Sequence, residues 1–398
     1  MKRPRAREIG LDIGIFDTGS HNAITDVAGV AVGHATLIEG EGPLVPGRGP
    51  VRTGVTVVLP HGGNLFREKV QAGCCVLNGF GKSAGFHQIR ELGTIETPIA
   101  LTNTLNLPVV ADALIGYSCA ASPEIGIGTG TVNPVVGDIN DGWLNDIQGR
   151  HVKASHVLAA IGSASTGPVA EGNVGGGTGC SCLGFKGGMG TASRVLPERF
   201  GGWTVGVLAQ TNFGGILSVN GAPVGRELGL YDFAPTAAPR SETVIAGEIR
   251  IANEVGAVSE GDDGSCMIVV ATDAPLDGRL LTRLARRAGL GLARTGFYSS
   301  NGSGDFFIAF STAHRVPHAG PRGLERTVVA DEAMSPLFAA LAEAVEEAVI
   351  NSLLAAETMT GRDGHICRAL DIDELTRILD KYNARGWSRR LSPQGGLA

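Results

Sequence analysis

Aromatic side chains are scarce in this chain: Phe, Tyr and Trp together make up 5% of its 398 residues. A buried core therefore has to be filled mostly by Val, Ile, Leu and Ala. Charge is also low, at 18% of residues against 43% hydrophobic, and that balance excludes a disordered chain, which carries too little apolar surface to offset its ordering entropy. Nor is there an apolar run of about 18 residues, so a membrane-spanning helix is not expected. The basic segment from Met1 to Glu8 lacks the following apolar stretch and small-residue cleavage site of a secretory signal, and the cytoplasm is the expected compartment. A basic excess is missing too. The net charge is −6, which argues against a nucleic-acid partner held by counterion release. The local cluster of Arg279, Arg283, Arg286, Arg287 and Arg294 has no interleaved aromatics and reads as a solvated helix face.

Metal and redox signatures are absent as well. The seven cysteines form an odd, scattered set without a signal peptide, so reduced thiols are expected. Cys180-x-Cys182 has no second pair or histidine cluster near it, and reads as bystander thiols rather than a metal site. There is no H-E-x-x-H, no G-x-S-x-G and no complete G-x-G-x-x-G. The segment Val76 to Ser83 ends like a phosphate loop, but a β-branched valine stands where its first glycine would turn the chain. Neither a metal nor an organic cofactor is expected.

What the chain has in excess is glycine, 60 residues in all, about twice ordinary usage. No Gly-X-Y period runs through it, which excludes collagen. The glycines concentrate at 126–130, at 299–304, and most of all at 167–190, where ten fall in 24 residues. So dense a stretch cannot be one regular element and predicts loops whose backbone needs positive φ or close approach.

Short β-branched runs bounded by glycine or proline predict strands at 27–36, 51–59, 98–102, 203–210, 243–251, 267–271 and 305–311. Several are apolar on both parities, as in sheets covered on both faces. Helical periodicity is clearest from Ser335-Pro336, read as an N-cap and first helical position, through Leu353. Further helices are predicted at 277–287, 373–382 and 151–161, and the tail after Arg385 reads as loose. Strands whose two apolar faces need helical cover predict a layered α/β or α+β domain.

One junction carries chemistry. A polar loop from Gly261 to Gly264 passes directly into an apolar strand beginning at Ser265. A serine opening a strand is ordinarily structural. If the Gly264–Ser265 bond were cut, however, Ser265 would gain an α-amine with a reference pKa of about 7.7 to 8.0, suited to act as a base near neutral pH. That arrangement is the N-terminal-nucleophile solution to amide hydrolysis. Gly264 has no side chain to obstruct attack on its carbonyl.

Over nearly its whole length the chain resembles the self-processing aminopeptidases that include L-aminopeptidase/D-alanine esterase-amidases and β-peptidyl aminopeptidases. The resemblance rests on residues 22–34, Val51-Arg-Thr-Gly-Val55, 140–146, 167–179, Gly184-Phe-Lys-Gly-Gly188, Gln210-Thr-Asn212, Gly264-Ser265 with its strand, and Asn301-Gly-Ser-Gly-Asp305, in family order. It implies a four-layer αββα sandwich of the N-terminal-nucleophile kind with its own connectivity. It also implies a precursor that cleaves itself into 1–264 and 265–398, and oligomers of processed pairs, often four.

By motif position the resemblance makes Ser265 the nucleophile and Asn212 the oxyanion donor. Ser303 and Asp305 stand at the family's Ser-x-Glu positions, which steer the serine hydroxyl and amine. Asp138 takes the place of an acid near the substrate amine, and Asn140 that of a tyrosine. Three departures stand out: Asp305 is one methylene shorter than the usual Glu, Asn140 lacks a phenol, and the stretch 215–261 is longer than expected. The implied substrates are short peptides and amino-acyl amides or esters with a free amine. Three rivals remain: an acyltransferase like the ornithine acetyltransferases, whose nucleophile is threonine; an inactive homologue that binds an amine ligand; and a thiol-dependent enzyme using Cys266.

Overall fold

The computed structural model describes residues 3–234, 242–245, 248–251, 264–321, 323 and 325–387. The strands in the first half of the chain are β1 (Ala31–Glu39), β2 (Val51–Leu59), β3 (Glu68–Gly79), β4 (Thr94–Ile95), β5 (Ile99–Asn103) and β6 (Val135–Ile139). A two-residue hairpin, β7 (Ser181–Cys182) and β8 (Phe185–Lys186), precedes β9 (Gly188–Val195) and β10 (Thr204–Phe213). Then come β11 (Glu242–Ile245), β12 (Glu248–Ile251), β13 (Gly264–Thr272), β14 (Ser303–Pro317), β15 (Met359–Thr360) and β16 (His365–Cys367). The helices are α1 (Phe86–Leu92), α2 (Leu107–Ala121), α3 (Ala154–Gly162), α4 (Val224–Glu227), α5 (Gly278–Ala285), α6 (Ala288–Arg294), α7 (Ser335–Ala355) and α8 (Ile372–Lys381).

Two sheets form the centre, one ordered β1-β2-β5-β6 and the other β4-β3-β14-β13-β10-β9. Strand parity shows how they stack. On β13, Met267, Val269 and Ala271 join a core shared with Val58, Leu101 and Ile139 of the facing sheet, while Cys266, Ile268 and Val270 pack with Leu281, Leu341 and Val345 of the helices behind. On β2, Val55 and Val57 point away from that inter-sheet core toward Val110 of α2 and Val157 of α3. The layers therefore run α2/α3, sheet, sheet, α5/α6/α7, the four-layer αββα sandwich. Both faces of each sheet are apolar because both are covered.

Buried charge ties the outer layer down. Arg194 of β9, fully buried, reaches Glu347 of α7 at 2.7 Å and Glu343 at 3.2 Å. Close approach explains part of the glycine excess: a Cβ on Gly190 would fall 2.0 Å from the carbonyl oxygen of Ala348 in α7, so only glycine lets β9 and the helix meet here. The stretch 167–190 resolves into loops, a 3₁₀ turn at Gly175–Gly177, the β7–β8 hairpin and the start of β9.

Several predicted boundaries need correction. The strand expected at 27–36 begins only at Ala31, because the Asp26 carboxylate accepts from the backbone N–H groups of His21 and Ala23 and holds the preceding segment in a turn. The strand expected at 243–251 is two, β11 and β12, paired antiparallel. Ser335 is the first residue of α7 rather than its cap, since a 3₁₀ turn at Asp331–Met334 leads straight into it. Much of the stretch 215–261, and the polar loop before Gly264, lie outside the described residues. Among the described residues no helix is long and apolar enough to cross a membrane.

Candidate active site

Three neighbouring strands assemble the site. β13 lies between β10, antiparallel to it, and β14, parallel to it. The register sets Ser265 opposite Asn212 on one side and Gly264 beside Ser303 on the other. Ser265 shares parity with Met267, and Asn212 with Leu208, so both side chains leave the sheet on the face turned toward the second sheet. The Ser265 hydroxyl donates to the carbonyl oxygen of Gly264.

The Asn212 side chain is held at both ends by main chain. Its Oδ1 accepts from the Ser181 N–H at 3.0 Å, and its Nδ2 donates to the Asn140 carbonyl at 3.0 Å. These bonds fix the sense of the amide and leave one N–H of Nδ2 for a further acceptor.

Ser303 and Asp305 share parity with Phe307, so they lie on the helix-covered face of β14, across the strand from the Ser265 hydroxyl. Ser303 Oγ donates to Asp305 Oδ1 at 2.6 Å, and both residues are fully buried. The same Ser303 Oγ lies 3.0 Å from where a Cβ on Gly264 would stand. Glycine at 264 thus leaves room for a hydroxyl against the peptide that precedes Ser265. Burial pushes the Asp305 carboxyl up, opposed by hydrogen bonds from Ser299 and Ser303. Cys266, in register with Asp305, has its thiol pushed well up by burial and by that carboxylate. It is held neutral on the face opposite Ser265, which does not suit a thiolate nucleophile.

The facing sheet supplies the rest. Asp138, on β6, is buried, and its Oδ1 accepts from Lys82 N at 3.1 Å and Ser83 Oγ at 2.9 Å. Ser83 Oγ also lies 3.7 Å from Met267 Sδ, two residues beyond Ser265. Segment 76–83, which resembled the end of a phosphate loop, thus bridges Asp138 to the strand that begins with Gly264 and Ser265. Asn140 meets the site through its carbonyl, while its exposed side chain folds back to accept from Gly142 N at 3.0 Å.

Sequence reading missed three contributors. Asp141 anchors the Asn140 loop, accepting from Thr53 Oγ1 at 2.5 Å and Asn145 Nδ2 at 3.0 Å. The Ser181 N–H orients Asn212. Ser299 holds the second oxygen of Asp305 at 2.5 Å. Asp141 lies inside the 140–146 block of the resemblance and Ser299 inside the glycine-serine cluster at 299–304, whereas a main-chain N–H such as that of Ser181 leaves no trace in the sequence.

The other flagged features have structural roles. Burial pushes the free thiol of Cys180 up to about 12 and that of Cys182 up as well. Among the described residues no group of His, Cys, Asp and Glu is arranged to hold a metal. Arg279 and Arg283 pair with Asp331, Arg294 pairs with Glu346, and Arg287 lies over the Phe338 ring.

Residues 22–367 match the profile of peptidase family S58. A β-peptidyl aminopeptidase, BapA, of Sphingosinicella microcystinivorans is 45% identical over 386 residues, covering 95% of this chain and 92% of its own. Among solved structures, a β-aminopeptidase of Burkholderia sp. superposes with a TM-score of 0.83 at 41% identity, over 95% of this chain and 99% of its own. The L-aminopeptidase D-Ala-esterase/amidase of Ochrobactrum anthropi, described as a prototype for the serine aminopeptidases and a new variant of the Ntn hydrolase fold, does so with a TM-score of 0.83 at 37% identity, over 96% of this chain and 100% of its own. With the profile spanning most of the sequence and relatives this similar over nearly their whole length, the chain belongs to peptidase family S58 and is a hydrolase.

Proposed function

We propose that the chain cuts its own Gly264–Ser265 bond and then works as an N-terminal serine aminopeptidase, hydrolysing the amide, peptide or ester bond that follows an amino-terminal aminoacyl group. The observation that carries the reading is the register that pairs Asn212 with Ser265 on one face and sets Ser303 beside Gly264. The activities named for the relatives support the substrate class.

In self-cleavage, Ser265 Oγ attacks the Gly264 carbonyl carbon, the C–N bond breaks, and the nitrogen takes the hydroxyl proton. Water then hydrolyses the resulting ester, leaving the Gly264 carboxylate, the restored hydroxyl and a free α-amine. The products are 1–264 and 265–398. In turnover the freed amine, with Ser303 and Asp305, takes the Ser265 proton as Oγ attacks the substrate carbonyl. Asn212 Nδ2 donates to the oxyanion, a preorganised contact of the kind worth about 3 to 4 kcal/mol. The leaving group departs protonated, and water breaks the acyl-enzyme. Asp138 receives the substrate ammonium, Asn140 lines the same end of the site, and the processed pairs assemble into an oligomer, four pairs being the number the family resemblance implies.

Intact mass and denaturing electrophoresis test this reading. Two fragments, with Ser265 at the start of the second, are expected from the active protein, and one inactive chain from Ser265→Ala. Activity in an uncut chain, or in Ser265→Ala, overturns it.

A further inference from the structure

The Ser303–Asp305 pair has a third member. Ser299 Oγ donates to Asp305 Oδ2 at 2.5 Å while Ser303 Oγ donates to Oδ1 at 2.6 Å, so each carboxylate oxygen has its own hydroxyl. Ser299 sits in the turn before β14 with φ at 57°, a left-handed conformation unusual for a side-chain-bearing residue. A clamp holds that turn in place. Asn78 of β3, the register partner of Asp305, donates through Nδ2 to the carbonyls of Ser300 at 3.1 Å, Asn301 at 3.0 Å and Ser303 at 2.5 Å.

We infer that Ser299 is a positioning residue for Asp305, its hydroxyl pinning the second carboxylate oxygen so that the first stays aimed through Ser303 at the amine of Ser265. The inference rests on the proposed function and adds a residue to it. The terminal torsion of an aspartate is broad and two-fold, so a single donor leaves the carboxylate free to swivel, whereas two donors on separate oxygens fix its plane.

Electrostatics agree. Hydrogen bonds to the ionised form favour it, and Ser299 is the larger of the two that oppose the upward push of burial on Asp305. Of the groups facing Asp305 from the adjoining strands, Cys266 on β13 is a neutral thiol and Asn78 on β3 does not titrate. Loss of the Ser299 hydroxyl therefore raises the Asp305 pKa further, and an activity that needs the carboxylate then fades at higher pH.

Two substitutions separate this role from a structural one. Ser299→Gly suits the left-handed backbone but removes the hydroxyl. Ser299→Thr keeps the hydroxyl but strains the backbone. For the glycine variant we expect kcat to fall roughly tenfold, in keeping with loss of one bond to a charged group. Its KM should stay about constant, and the acid limb of its kcat profile should move to higher pH. The threonine variant should keep the wild-type profile while melting at a lower temperature. Where self-cleavage of the glycine variant is too slow for kcat to be read, the cleavage rate is the readout, slowed in Gly and normal in Thr. A wild-type profile in Ser299→Gly, or equal impairment of both variants, overturns the inference. Failure of the underlying reading shows in a different protein, as hydrolysis by Ser265→Ala.

Discussion

Asn212 and Ser265 are cross-strand partners, and their side chains leave the sheet on the same face. Both ends of the asparagine amide are tied to main chain, so its free N–H is oriented before any substrate arrives. Such a donor needs no reorganisation as negative charge develops, which is why one contact can weigh so heavily on the rate. Asn212→Ala is expected to lower kcat by roughly 100- to 1,000-fold, with a much smaller change in KM. Steady-state kinetics on an aminoacyl p-nitroanilide reads the split. A loss confined to KM would mean that Asn212 binds the ground state instead.

How much of this was legible in the chain depends on the length scale. The strand at Val51–Leu59 announced itself by its β-branched residues and the helix through Leu353 by its periodicity, and the dense glycine stretch at 167–190 resolves largely into loops and turns, as its composition predicts. Strand β6, which carries Asp138, was not predicted, because Val135–Ile139 is short and contains a glycine and an aspartate. Helix α2 was also missed; apolar nearly all round, it offers no polar face to reveal its period. The pairing of Asn212 with Ser265 joins strands far apart in sequence. No local pattern encodes such a register, so only family resemblance could nominate both residues. Ser299 and the Ser181 N–H escaped because one depends on a turn that brings its hydroxyl to Asp305 and the other acts through main chain.

Asp138 offers a test of substrate recognition. Its Oδ1 is taken by Lys82 N and Ser83 Oγ, which orient the carboxylate from the side of segment 76–83. A substrate ammonium held by the other oxygen would add a charge-assisted hydrogen bond, of about 1.5 to 3 kcal/mol. Asp138→Asn is therefore expected to raise KM for free-amine substrates by roughly tenfold or more, with a smaller effect on kcat. N-acetylated analogues should be poor substrates for both proteins. An equal KM in the two proteins would remove Asp138 from substrate binding.

Asp141 links stability to the same loop. Its carboxylate takes bonds from Thr53 of β2, from Asn103 at the end of β5 at 3.2 Å and from Asn145, and so fixes the segment whose Asn140 carbonyl holds Asn212. Burial nonetheless dominates and pushes its pKa up to about 6. Because the folded value exceeds the unfolded one, the folded state binds the proton more tightly. The stability this provides is complete below the unfolded pKa and is lost as pH rises through about 6. Asp141→Asn keeps a neutral, hydrogen-bonding group of the same shape and cannot ionise. Between pH 4 and pH 7 its stability relative to wild type should improve by on the order of 2 kcal/mol, read from denaturant midpoints at the two pH values. Other buried carboxyls with raised pKa values, such as Glu171, are common to both proteins and cancel in the difference. Parallel pH profiles for the two proteins would show that the hydrogen bonds to Asp141 offset its burial, so that its pKa in the folded protein is no higher than in the unfolded chain.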